Sequence, residues 1–74
     1  MRPIIQMEDW RVRVGNNVRK LRHARGLSQE KVALEAQIDL TYLGGIERGR
    51  RNPSLLVMVR IAEALGAETV DLLK

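Results

Sequence analysis

Seventy-four residues, 45% apolar and 30% charged with six glycines and two prolines, suffice for one small domain and exclude a disordered or low-complexity chain. The lack of cysteine and the single histidine exclude a disulfide framework and a Cys- or His-ligated metal site, and the longest apolar run, Leu55 to Val59, is too short for a membrane span, so we expect a cytoplasmic chain held together by packing alone, with no secretory leader. The net charge of +4 is polarised: residues 10–60 hold eleven Lys and Arg against four Asp and Glu, with no acid between Arg11 and Arg25, a distribution that suits a polyanionic partner.

Residues 1–8 read as an N-terminal arm ahead of a single domain over residues 9–74. Trp10, Val14, Val18, Leu21 and Ala24 recur at intervals of three and four, which predicts one apolar stripe on a helix from about Asp9 to His23, ended by Gly26. Asp9 can cap it, although Gly15 weakens its first half by about 1 kcal/mol relative to Ala and moves the expected start toward Val12. Ser28 reads as the cap of a second helix, Gln29 to Ala36, whose buried side is Val32, Ala33 and Ala36. Asp39 caps a third, over about residues 40–48, with Leu43 and Ile46 inside and Gly49 as its stop.

Arg50-Arg51-Asn52-Pro53 is a polar loop, because Pro53 lacks an N–H and restricts Asn52 to extended geometry. Ser54 restarts the helical pattern, with Leu55, Met58, Ile61, Ala62 and Leu65 as the inner stripe and Gly66 as the stop. A short last helix around Val70 to Leu73 closes the core. No run alternates with a period of two, so the fold class is all-α, a compact bundle of about five short helices.

The tight Gln37–Ile38–Asp39 connection between the second and third helices gives a helix-turn-helix, whose second member is offered to the major groove. The runs Leu27-Ser28-Gln29-Glu30, Val32-Ala33, Ala36, Ile38, Tyr42, Ile46-Glu47-Arg48-Gly49, Asn52-Pro53-Ser54-Leu55 and Ile61-Ala62-Ala64-Leu65-Gly66 resemble, in residue and spacing, the λ-repressor/Cro (XRE) helix-turn-helix family over about residues 12–73. Within it, the small size, Thr41-Tyr42, Ile46-Glu47-Arg48-Gly49 and Arg51-Asn52 resemble the controller proteins of restriction–modification systems.

The resemblance implies a λ-repressor-like domain that binds double-stranded DNA sequence-specifically as a homodimer and regulates transcription. It places Leu40, Thr41, Tyr42 and Gly45 at base-reading positions, where Thr41 can bond a base edge and Leu40 can offer only apolar contact to a thymine methyl. It places Gln29, Arg48, Arg50, Arg51 and Asn52 at phosphates. Arg22 and Glu47 match the family's internal salt bridge between the first helix and the recognition helix. Plainer readings stand beside these: an exposed helix start for Gln29, half-buried packing for Tyr42, a solvated loop for the arginine run. Gly44-Gly45 reads either as close approach of the helix backbone to DNA or as helix weakness tolerated by packing. Trp10 reads as a core or interface lid, Met7 and Met58 as gap fillers, and His23 as a surface residue near a helix C-terminus.

Leu56, Val59, Val70, Leu72 and Leu73 exceed what the inner stripes need, which predicts an exposed apolar patch and a homodimer. The alternative function is a protein-interaction module, such as an antitoxin, with an unidentified protein partner. An enzyme would need a nucleophile–base pair, a metal set or a glycine-rich phosphate loop, and the sequence offers none; no cofactor is expected.

Overall fold

The computed structural model describes residues 8–74, so the expected arm lies outside the described residues except for Glu8. Four α-helices, α1 (Trp10–Ala24), α2 (Gln29–Ala36), α3 (Leu40–Glu47) and α4 (Leu55–Leu65), are followed by a 3-10 helix, Thr69–Leu73. Among the described residues there is no strand, and the fold is all-α. Each α-helix starts on a side-chain cap: Asp9 accepts from the Arg11 amide at 3.0 Å, Ser28 from Lys31 at 3.0 Å, Asp39 from Tyr42 at 3.2 Å and Ser54 from Val57 at 3.2 Å. These oxygens satisfy amides that a helix start leaves without partners, which fixes where each short helix begins.

One apolar cluster joins all the helices: Val14 and Val18 of α1, Val32, Ala33 and Ala36 of α2, Leu43 and Ile46 of α3, Met58, Ile61, Ala62 and Leu65 of α4, and Leu72. In so small a domain no helix would persist alone, and burial of these stripes supplies the stability that propensity cannot. Gly15 allows a close crossing. A Cβ there would stand 2.9 Å from the Glu47 carbonyl oxygen, and nearer still to that of Ile46, so α1 meets α3 backbone to backbone.

Several expectations are corrected by this packing. The first helix begins at Trp10, not near Val12, because the Asp9 carboxylate caps it and also binds the Arg11 guanidinium at 2.9 Å, while Gly15 is locked against α3. The third helix ends at Glu47. Gly49, at φ +74°, and the Arg50 amide, donating to the Gly45 carbonyl at 2.9 Å, close it there and leave Arg48 as the cap rather than the last helical residue. The final segment is a 3-10 helix, so the α-helices among the described residues number four.

Leu55, expected inside, sits in the first turn of α4 and is 66% exposed. Leu72, expected in the surplus patch, is fully buried, and Asn17 of α1 donates to its carbonyl at 2.9 Å, pinning the 3-10 helix onto α1. Trp10 and Ala24, at the two ends of α1, are exposed rather than part of its buried stripe. The Trp10 ring instead carries the Arg13 guanidinium 4.9 Å from its centroid and forms one wall of an open groove with Pro53, Met58 and Leu73.

Candidate nucleic-acid interface

The turn between α2 and α3 is built by Gln37, whose left-handed backbone (φ 59°) reverses the chain, and by the Ile38 amide, which donates to Ala33 at 3.0 Å. Asp39 then starts α3 at once. Along α3 the burial is one-sided: Leu40 and Thr41 are exposed, Tyr42 is half-buried, and Leu43 through Glu47 are buried. The outward surface of α3 is therefore confined to its N-terminal half. That is the part of a recognition helix able to reach base edges when the helix lies in a groove.

The orientation of α3 is fixed by a polar cluster at its other end. Arg22 of α1 grips Glu47 with two nearly parallel bonds, Nε to Oε2 at 2.7 Å and Nη2 to Oε1 at 3.0 Å, while its Nη1 donates to the Leu27 carbonyl at 2.9 Å. Gln29 of α2 donates from Nε2 to Glu47 Oε1 at 3.0 Å. Three helices thus meet at one carboxylate, with the α1–α2 loop tied in through Arg22, and the cluster has little exposure, the side chains of Arg22 and Glu47 being 11% and 4% accessible. Burial pushes the Glu47 carboxyl up. The hydrogen bonds from Arg22 and Gln29, together with the Arg22 charge, outweigh it and hold the group below the ordinary carboxylate range. Every buried polar side-chain atom among the described residues has a partner, which is the condition for such a cluster to fix geometry rather than weaken the core.

Beyond α3 the arginines stand together. Arg48, Arg50, Arg51 and Asn52 are all exposed, at the end of a helix whose dipole favours cations. The Arg51 guanidinium lies 5.9 Å from the Tyr42 ring centroid, so the loop reaches back over the face of α3 that carries Tyr42. Gly45 is not open on that face: it is buried, with the Arg51 stem against it. Gln29 opens α2, where the first backbone amides are free to meet an anion, but one hydrogen of its side-chain amide is already committed to Glu47.

Arg19 of α1 lies outside the helix-turn-helix motif in sequence. The structure places it with His23, Arg22, Gln29, Glu47 and Arg48 around an open cleft of about 410 Å³, because α1 carries both residues past the starts of α2 and the end of α3. A spacing of three and four to Arg22 and His23 was the signal available. Arg11 and Arg13 belong elsewhere, paired with Asp9 at 2.9 Å and Glu8 at 2.6 Å. Among the described residues no three His, Cys, Asp or Glu gather as a metal set, and no helix is long and apolar enough to cross a membrane.

A family model described as helix-turn-helix matches residues 18–73. The chain is 42% identical over 64 residues to an uncharacterized HTH-type transcriptional regulator, y4dJ, of Sinorhizobium fredii, covering 86% of this chain and 83% of that one. It is 44% identical over 64 residues to the control protein C.BamHI of Bacillus amyloliquefaciens, covering 85% and 79% respectively. It superposes on the crystal structure of the restriction-modification controller protein C.AhdI from Aeromonas hydrophila with a TM-score of 0.81 and 45% identity, over 84% of this chain and 94% of that one.

Proposed function

Because this chain belongs to the helix-turn-helix family, whose model spans residues 18–73, we propose that it is a sequence-specific, double-stranded DNA-binding transcriptional regulator of the restriction–modification controller type, acting in the cytoplasm as a homodimer and without catalysis. The observation that carries the reading is the one-sided exposure of α3: Leu40 and Thr41 are exposed and Tyr42 is half-buried, followed by the exposed Arg48, Arg50, Arg51 and Asn52. Thr41 and Tyr42 read base edges in the major groove and Leu40 touches a thymine methyl. The arginines, Asn52 and the start of α2 at Gln29 hold phosphates and set the register.

Dimerisation supplies the rest of the selectivity, since one domain this small covers too few base pairs. Leu55, Leu56, Val70 and Leu73 stand exposed on α4 and the 3-10 helix, away from α3 in sequence, and offer the apolar area for a symmetric contact. Two copies so joined place their α3 helices about 34 Å apart, one turn of B-DNA. Selection of bound sequences from random duplex DNA tests the reading. The expected result is a two-fold symmetric consensus with half-sites one turn apart; recovery of no consensus would overturn it.

A further inference from the structure

We propose that Gly45 is the seat that positions Arg51 on the outer side of α3, so that its bare backbone serves an arginine stem and not the DNA; this rests on the reading of α3 as the groove-facing helix. The three atoms nearest to the place a Cβ would occupy on Gly45 all belong to Arg51: Cγ at 2.8 Å, Nε at 3.3 Å and Cδ at 3.6 Å. From that seat the guanidinium comes to 5.9 Å from the Tyr42 ring centroid.

Arg51 lies in the loop after α3, and left to itself a long exposed side chain there would sample many rotamers and point its charge into solvent. The notch at Gly45 and the Tyr42 ring hold it instead along the helix, so its charge is in place before DNA arrives and less ordering remains to be done on binding. Gly44 has no such role. The atom nearest to its missing Cβ is Nη1 at the free end of Arg48, 3.1 Å away, which a small side-chain rotation would relieve. The two adjacent glycines therefore differ in function, and Gly45 acts on DNA through Arg51 as a positioning residue.

A double-mutant cycle separates this from close approach of the helix to DNA. Gly45→Ala, Arg51→Ala and the double variant are titrated with a random-sequence duplex at several low salt concentrations, beside the wild type. Gly45→Ala should remain folded by circular dichroism, because the atoms in the way belong to an exposed side chain that can change its χ1 rotamer and alanine favours the helix. Its affinity should nevertheless fall by about the same factor as that of Arg51→Ala, roughly three- to tenfold, with the salt slope reduced by about one ion. The double variant should bind no more weakly than Arg51→Ala alone. An equal loss from Gly45→Ala in both backgrounds, or no loss in the wild-type background, overturns the seat. In the free protein a nuclear Overhauser contact between Gly45 Hα and the Arg51 methylenes is expected, and its absence overturns the seat independently. A wild-type chain that shows this contact and yet binds no duplex overturns the DNA-binding reading, and with it the use of the seat.

Discussion

Gly15 of α1 lies directly against the carbonyl oxygen of Ile46 in α3. By propensity alone, Gly15→Ala in mid-helix would stabilise by about 1 kcal/mol. The contact reverses the sign, because the atoms in the way are backbone oxygens that cannot rotate aside, and the two helices must separate. We predict a net loss of about 1–3 kcal/mol, the range for overpacked sites. For a chain of this size that lowers the melting temperature by several degrees, at about 4–8 °C per kcal/mol. A thermal melt showing Gly15→Ala at or above wild type would remove the backbone crossing from the account.

The Arg22–Glu47 pair predicts a larger effect. Glu47→Ala leaves the Arg22 guanidinium among three helices with only the Leu27 carbonyl and a 3.4 Å contact to His23 Nε2 as partners, and removes the acceptor of Gln29 as well. Breaking one side of a buried pair costs about 3–5 kcal/mol, a large share of the stability of a small domain. The variant should be largely unfolded at moderate denaturant where wild type is native, read by circular dichroism. A denaturation midpoint within error of wild type would show that the cluster does not hold α3 in place.

Much of this architecture is legible in the sequence, and the failures have a common cause. Asp9, Ser28, Asp39 and Ser54 announce four helix starts by local chemistry, and all four cap. Stripe residues in mid-helix, such as Val18, Ile46 and Ile61, are buried as periodicity requires. Periodicity fails at ends. Leu55 and Trp10 satisfy the spacing but occupy first turns, where the opposing surface has run out, and Leu72 is drawn in by a tertiary bond to Asn17 that no local pattern encodes. Around the candidate site, Gly15 reads in the sequence as a weak helix former, and Gly45 either as that or as a point where the helix backbone approaches DNA. Only the fold shows that one accommodates a helix and the other an arginine.

Acid should weaken the protein partly through Glu47. Its pKa in the folded state lies below the ordinary value, so its contribution is fully present above the unfolded carboxylate range and is lost as pH falls through the folded value. Asp9 and Asp71, also lowered by hydrogen bonds to Arg11 and Lys74 respectively, act in the same direction from the surface. The difference in melting temperature between wild type and Glu47→Gln isolates the buried group. That difference should be constant near neutrality and shrink as pH falls below about 4.3, the unperturbed glutamate value. A gap that stays constant down to pH 3 would mean that Glu47 titrates as an ordinary exposed carboxyl.

The dimer prediction rests on Leu56, which is 73% exposed on α4. Leu56→Glu should leave the monomer's stability within about 0.5 kcal/mol, as for other surface substitutions, yet shift sedimentation from dimer to monomer. Because half of the operator contacts are then lost, affinity for a symmetric site should fall much more than affinity for random DNA. Wild type that sediments only as monomer, with and without DNA, would remove the dimer.

Affinity and specificity should divide between the loop and the helix. Arg51 carries charge to the outer side of α3 and, in the proposed arrangement, meets phosphate, a contact that positions the protein without reading sequence. Arg51→Ala is therefore expected to weaken operator and scrambled duplex alike and to lower the salt slope by about one ion. Thr41 is exposed in the first turn of α3 and carries a hydroxyl able to bond a base edge. Thr41→Ala should lower operator affinity by about 1–3 kcal/mol and leave scrambled duplex nearly untouched, the scale of a lost base contact. Leu40 beside it can offer only apolar contact, and Gly45 lies beneath the Arg51 stem, so few side chains remain to read bases directly. Part of the selectivity should then come from DNA shape at base pairs the protein does not touch. Changing such pairs to stiffer or more flexible steps should alter the affinity of wild type and Thr41→Ala by the same factor. Paired titrations on operator, scrambled and step-altered duplexes decide the matter. Equal losses on operator and scrambled duplex for Thr41→Ala would move that residue from base reading to backbone positioning, leaving Tyr42 as the one polar side chain on α3 able to tell one sequence from another.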